Sequence, residues 1–181
     1  MARKTKEWEA FGVLYRTQEF SAAFGFEQLD KEGQLPDFEP NVLLAGTEVR
    51  TEDCSWSRLD SPRNIDLYVR DVLGRIDAHI VLKSVMNIVW KLNWEFLIGW
   101  KPHKIPRRFA LISDINIDRR VEPRMGRILN DELATLRELE EYYSLRDAFK
   151  MYDLTCEKAL DELLTNEAAQ REAKAKAKSA G

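Results

Sequence analysis

The feature that most constrains this chain is a long stretch, residues 127–165, that contains neither proline nor glycine. Its apolar residues recur at steps of three and four, which places them along one side of an α-helix. They form two stripes: Leu129, Leu133, Leu136, Leu139 and Tyr143, then Leu145, Phe149, Tyr152, Cys156, Ala159 and Leu163. The stripe changes phase between Tyr143 and Leu145. The sequence therefore predicts one long helix or, preferably, a helical pair with a bend or break near Ser144.

A second helix start lies at Ser61-Pro62, because serine caps first-turn amides and proline suits the first helical position. The apolar residues that follow have helical spacing and predict a one-sided helix, which Gly74 weakens. They are Ile65, Val69, Val72, Leu73, Ile76 and Ile80. Beyond Val85 the sequence is apolar on nearly all sides, which indicates burial in a core or against a partner.

Strand signals are fewer. Residues 107–118 alternate between apolar and polar side chains, which predicts a strand that could form a hairpin with residues 95–100. One further short strand is expected within residues 41–50. The aromatic spacing before Phe26 predicts two short helices with a break near Thr17.

These elements predict a mainly α fold, or an α+β fold with a minor two- or three-strand element. With 181 residues, the chain suits one compact helical domain over residues 1–165. That domain contains a long irregular acidic segment at 27–60 and amphipathic helices at 128–165. It includes the extended C-terminal helix or helix pair and is followed by an Ala/Lys-rich tail at 166–181.

Motifs for cofactor chemistry are missing from the sequence. Cys54 and Cys156 match no disulfide framework or metal spacing, and His79 and His103 lie too far apart for a paired zinc site. No glycine-rich phosphate loop occurs, so no cofactor is expected. Residues 85–100 are too short and too polar to span a bilayer, and no secretory signal begins the chain. We therefore expect no membrane partner and a cytoplasmic or virion location.

One carboxylate pair leaves a lesser alternative open. Asp114-Ile-Asn116-Ile-Asp118 opens like a calcium loop, but Arg119 occupies the position that needs glycine and Met125 the position that needs glutamate. On one face of a strand, Asp114 and Asp118 could still share a hydrated magnesium ion. A metal-dependent enzyme is therefore the less favoured hypothesis.

Charge is arranged in blocks. Residues 101–127 carry eight basic and three acidic side chains, whereas residues 128–165 carry four basic and ten acidic ones. Complementary blocks guide association between proteins, and Trp and Arg are enriched where interfaces are strongest. The main hypothesis is therefore a non-enzymatic structural or adaptor subunit of an oligomeric or larger assembly, such as a phage particle or a ribonucleoprotein. The expected partner contacts are Trp94, Trp100, Lys101, Lys104, Arg107, Arg108, Arg119 and Arg120.

Nucleic-acid binding through the basic stretch 101–127 is the alternative function. Arginine clusters beside aromatic residues suit phosphate contacts and base stacking. The sequence leaves both partners open, with protein subunits preferred.

Overall fold

The computed structural model describes residues 3–29, 38–101 and 121–179. The chain is mainly helical, with a four-stranded antiparallel sheet and a long C-terminal helix, which confirms the predicted class at the level of mainly α or α+β. It divides into two compact units. The first comprises Met1–Trp100 and Thr135–Ala148, and the second comprises Lys101–Ala134 and Phe149–Gly181. The one-domain interpretation of residues 1–165 stays a prediction.

The described elements follow in chain order. The strands are β1 (Thr5–Ala10), β2 (Val13–Gln18), β3 (Thr47–Arg50) and β4 (Trp56–Arg58). The helices are α1 (Ala22–Gln28), α2 (Pro40–Leu43), α3 (Pro62–Tyr68), α4 (Ala78–Trp94), α5 (Pro123–Asn130), α6 (Leu136–Glu141) and α7 (Leu145–Ser179). A 3₁₀ turn at Glu95–Ile98 follows α4, so the hairpin expected with residues 95–100 is wrong on that side.

The chain begins with a hairpin, so the first of the two helices expected before Phe26 is wrong. β1 and β2 pair antiparallel around a two-residue turn in which Phe11 and Gly12 have φ of 55° and 77°. Two positive φ values define a type I′ turn, whose twist matches that of the flanking strands. The second expected helix is confirmed as α1, where the Ser21 hydroxyl accepts the Phe24 amide at 3.3 Å.

The sheet runs in the order β1-β2-β3-β4, and β3 falls within the window expected for a short strand. Its inner face buries Tyr15 and Val49. Two buried hydroxyls on this face satisfy each other, because Thr47 donates to Thr17 at 3.0 Å and Thr17 donates to the Gly46 carbonyl at 3.3 Å. These two hydroxyls are therefore buried without being left unpaired.

The predicted cap at Ser61 is confirmed, since its hydroxyl accepts the Asn64 amide at 3.4 Å. The single helix expected to continue through Ile80 is wrong. α3 ends at Tyr68, a loop containing Gly74 at φ 62° follows, and α4 begins at Ala78. A left-handed φ cannot occur inside an α-helix, so Gly74 marks the interruption.

Asn93 connects α4 to the sheet. Its side chain is buried, its Oδ1 accepts the Phe20 amide at 2.7 Å, and its Nδ2 donates to the Val89 carbonyl at 2.9 Å. Phe20 lies in the connection between β2 and α1. The Asn93 side chain thus satisfies the Phe20 backbone N–H between the end of β2 and the start of α1.

The predicted break near Ser144 is confirmed. α6 ends at Glu141, and the Ser144 hydroxyl accepts the Asp147 amide at 3.3 Å as α7 begins. α6 itself begins with a capping box between Thr135 and Glu138. An additional break after α5, where Glu132 has φ of 56°, has no counterpart in the apolar spacing. The strand expected at 107–118 lies outside the described residues.

Replacing Asn93 should destabilise the first unit. Asn93→Leu leaves the buried Phe20 amide without an acceptor, and we expect a loss of about 1–3 kcal/mol in the free energy of unfolding. Asn87→Leu is the matched control, because Asn87 is exposed on the same helix. Urea denaturation measures both, and equal effects of the two substitutions would contradict the assigned role of Asn93.

Two helical glycines should respond oppositely to alanine. A Cβ at Gly25 would lie 2.9 Å from three side-chain atoms of Leu145, whereas no neighbouring atom of the described residues lies within 4 Å of a Cβ at Gly126. We expect Gly25→Ala to destabilise by about 1–3 kcal/mol through overpacking. Gly126→Ala should stabilise by about 0.5–1 kcal/mol through helix propensity. Thermal denaturation of both variants tests the packing of α1.

Candidate partner-binding surface

Trp94 does not face a partner in this fold. Its side chain is fully buried, stacked on Phe38 at 5.4 Å between ring centroids and edge-on to Phe20 at 6.1 Å. Its buried indole Nε1 has no hydrogen-bond partner among the residues that the structure describes. These contacts place Trp94 in the core of the first unit.

Of the other expected contacts, the structure describes only Trp100 and Lys101. Trp100 is half-buried after the 3₁₀ turn, and Lys101 is exposed. The remaining ones, Lys104, Arg107, Arg108, Arg119 and Arg120, lie outside the described residues, as do Asp114 and Asp118. The contact assignment for these residues stays a prediction.

A different surface has the features of a binding site. Within residues 67–80, called here the apolar segment, five large aliphatic side chains are exposed. Their exposed fractions are 48% for Leu67, 62% for Val72, 70% for Leu73, 38% for Ile76 and 48% for Ile80. Single exposed aliphatics are ordinary, but a concentration of them on one segment is typical of an interaction surface.

The loop within the apolar segment is folded around one carboxylate. Asp71 accepts backbone amides from Leu73 at 3.2 Å, Arg75 at 2.7 Å and Ile76 at 3.1 Å. These hydrogen bonds, led by that from Arg75, hold the pKa of Asp71 below its ordinary value of 3.8. Because the carboxylate occupies the inside of the turn, the loop keeps a defined shape although its aliphatic side chains face solvent.

The β1–β2 turn also contacts this loop. The Val72 amide donates to the Phe11 carbonyl at 3.2 Å. A Cβ at Gly12 would lie 3.3 Å from two Val72 side-chain atoms, so the glycine permits this close approach. The exposed loop is thus attached to the hairpin as well as to its own Asp71.

Sequence reasoning missed this surface because it assigned Val72, Leu73, Ile76 and Ile80 to the buried side of one long helix. Their three–four spacing is real, but the helix is interrupted between Tyr68 and Ala78. Two signals in the sequence mark the interruption. Gly74 favours a left-handed turn, and Asp71 and Asp77 are residue types that bind free amides in turns and at helix starts.

Among the described residues, no group of three or more His, Cys, Asp or Glu side chains is arranged to hold a metal ion. Within the same residues, no helix is both long enough and apolar enough to cross a membrane.

Comparison of the chain with protein-family models, with curated proteins and with solved structures finds no match. The assignment of the candidate surface as a binding site therefore rests on its geometry.

Acid should loosen the loop of the apolar segment in a defined pH window. Since the folded pKa of Asp71 is depressed, the stabilisation by its carboxylate is complete above 3.8 and is lost as the pH falls through the lowered pKa. The amide proton shifts of Leu73, Arg75 and Ile76 should report this transition in an NMR titration. The Asp71→Asn variant should lack it. A transition at the ordinary aspartate pKa, or one that persists in the variant, would contradict the loop structure.

Proposed function

We propose that the protein is a non-enzymatic structural or adaptor subunit of a larger assembly and that its apolar segment, residues 67–80, binds a protein partner. The observation that carries this proposal is the exposure of Val72 and Leu73 on a loop whose backbone is held by Asp71 and Phe11. Covering such side chains removes apolar area from water, at about 25 cal/mol per Å².

The shape of the loop adds to its suitability. A flexible apolar loop loses conformational entropy on binding, whereas one already ordered by internal hydrogen bonds loses less. The three amides bound by Asp71 are satisfied before any partner arrives. Binding therefore needs no rearrangement of these groups.

The C-terminal helix gives separate support for a role in an assembly. α7 is 35 residues long, and most side chains in residues 161–177 are exposed. Leu154 and Leu164 are 57% and 40% exposed. Tertiary packing does little to stabilise a helix that is exposed on most sides, and a contact with another subunit would bury part of it.

The nucleic-acid alternative gains no support from the described part of the basic stretch. The Arg124 Nε lies 2.5 Å from a carboxylate oxygen of Glu122, and its guanidinium lies over the Phe149 ring. Arg127 is 3.8 Å from Asp131 and donates to the Thr155 carbonyl at 3.4 Å. Both arginines are engaged within the second unit. Binding through residues 102–120, and catalysis through Asp114 and Asp118, stay predictions.

Leu73→Asp tests the proposal, with Ile98→Asp as its matched control. Ile98 is exposed to 73%, close to the 70% of Leu73, but lies outside the apolar segment. Neither substitution should change the free energy of unfolding by more than about 0.5 kcal/mol. Leu73→Asp should weaken association about tenfold or more, since a charge cannot be buried without a partner, whereas Ile98→Asp should not.

Association is measured in two ways, by sedimentation velocity of the purified chain and by quantitative mass spectrometry of proteins recovered with the tagged chain. Loss of a self-associated species or of a reproducible partner in Leu73→Asp alone supports the proposal. Equal behaviour of both variants, or a wild-type chain that stays monomeric and recovers no partner, would refute it.

A further inference from the structure

We infer that the outer edge of β1 is a second docking site, and that it binds an extended peptide segment with alternating basic and apolar residues by adding it to the sheet. This surface is separate from the apolar segment, and the inference goes beyond the proposed function. β1 ends the strand order, so its outer side has no neighbouring strand among the described residues.

The hairpin register determines which backbone groups face outward. In a two-residue hairpin the residues that flank the turn, Ala10 and Val13, exchange hydrogen bonds, and every second pair does the same. The bond from the Glu19 amide to the Lys4 carbonyl, at 2.9 Å, follows this alternation. Thr5, Glu7 and Glu9 therefore direct both their amides and their carbonyls away from β2.

This open edge has two defined ends. At one end the outward amide of Arg3 donates to the Tyr142 carbonyl at 3.2 Å, and at the other end lies the type I′ turn. The opposite edge of the sheet is formed by β4. There a backbone acceptor is already occupied, because the Asn64 side chain donates to the Arg58 carbonyl at 2.9 Å. The β1 edge thus leaves three consecutive outward-facing residues available for a strand.

The face of β1 that bears Glu7 and Glu9, called here the outer face, favours a basic partner. Glu7 and Glu9 are exposed, and no described side chain forms an ion pair with either of them. Arg16, directly opposite Glu7, is bound to Glu48 with 2.5 Å between its Nε and Oε2. A basic residue opposite Glu7 or Glu9 in an added strand would find an unneutralised carboxylate.

The same charges disfavour pairing with a second copy of β1. The central antiparallel registers would place Glu7 opposite Glu7, Glu7 opposite Glu9 or Lys6 opposite Lys6 of the second copy, and like charges directly opposite are destabilising. The other side of β1 presents Trp8, which is half-buried and stacked on Tyr15 at 5.6 Å. Alternate residues of the added strand lie on this side, where an apolar side chain would cover the exposed part of Trp8.

The experiment uses the full chain and a synthetic peptide in which lysine and valine alternate, with a glutamate–valine peptide as control. NMR hydrogen exchange gives the diagnostic pattern. In the free protein the Thr5, Glu7 and Glu9 amides should exchange fast and those of Lys6 and Trp8 slowly. The lysine peptide should slow the first three, and the glutamate peptide should not.

Two variants separate backbone pairing from charge. Glu7→Pro removes an outward amide that edge strands can lose, and it should abolish peptide binding while β2 amides stay protected. Glu7→Lys/Glu9→Lys keeps every amide and should weaken binding of the lysine peptide about tenfold.

Unchanged exchange at Thr5, Glu7 and Glu9, or equal binding of both peptides, would overturn the inference. So would undiminished binding of the lysine peptide by the charge-reversed variant. Peptide binding is independent of Leu73, so failure here leaves the proposed function of the apolar segment standing, and the reverse also holds.

Discussion

The hydrogen bond from the Phe20 amide to Asn93 is the contact on which the first unit depends. It joins the connection between β2 and α1 to α4, at 2.7 Å. Around it lie Trp94 and Phe20, both buried. Replacing the pair with an apolar contact would leave a backbone donor unsatisfied, because the amide belongs to the main chain and cannot be removed with a side chain. The polar group in the core therefore fixes α4 relative to the connection between β2 and α1.

Both candidate surfaces involve the β1–β2 hairpin of this unit. The hairpin presents the Phe11 carbonyl, which holds Val72, and Asp71 closes the loop on its other side. The same hairpin leaves β1 at the edge of the sheet. One surface is apolar and preorganised, and the other offers backbone groups with acidic side chains. They would recognise chemically different partners, as expected of an adaptor that contacts more than one neighbour.

The sequence predicted the features that local chemistry decides. The cap at Ser61 is predictable because a hydroxyl next to a helix start has one dominant use. The break near Ser144 is predictable because the apolar stripe changes phase there. The hairpin is not predictable from the spacing of Trp8, Phe11 and Leu14, because steps of three residues also fit a helix. In the structure Phe11 has a left-handed φ and lies in the turn. Trp94 is expected at an interface because Trp is enriched there, but that enrichment does not distinguish an interface residue from a core residue, and the side chain is buried.

The candidate surfaces were harder to predict than the fold, for a physical reason. The aliphatics from Val72 to Ile80 are buried if the helix continues and exposed if it stops, and three–four spacing fits both outcomes. The free edge of β1 becomes visible only once the register assigns alternate amides to opposite sides. Most of the partner contacts expected from the sequence are basic residues within 102–120, and their role in binding remains a prediction.

Hydrogen exchange with mass spectrometry on the full chain, compared between the purified protein and the assembly recovered with it, tests whether a partner covers the apolar segment. We predict that exchange within residues 67–80 slows in the assembly, because a partner covers the exposed aliphatics and shields their backbone. An apolar segment that exchanges equally fast in both samples, while protection appears elsewhere in the chain, would contradict it.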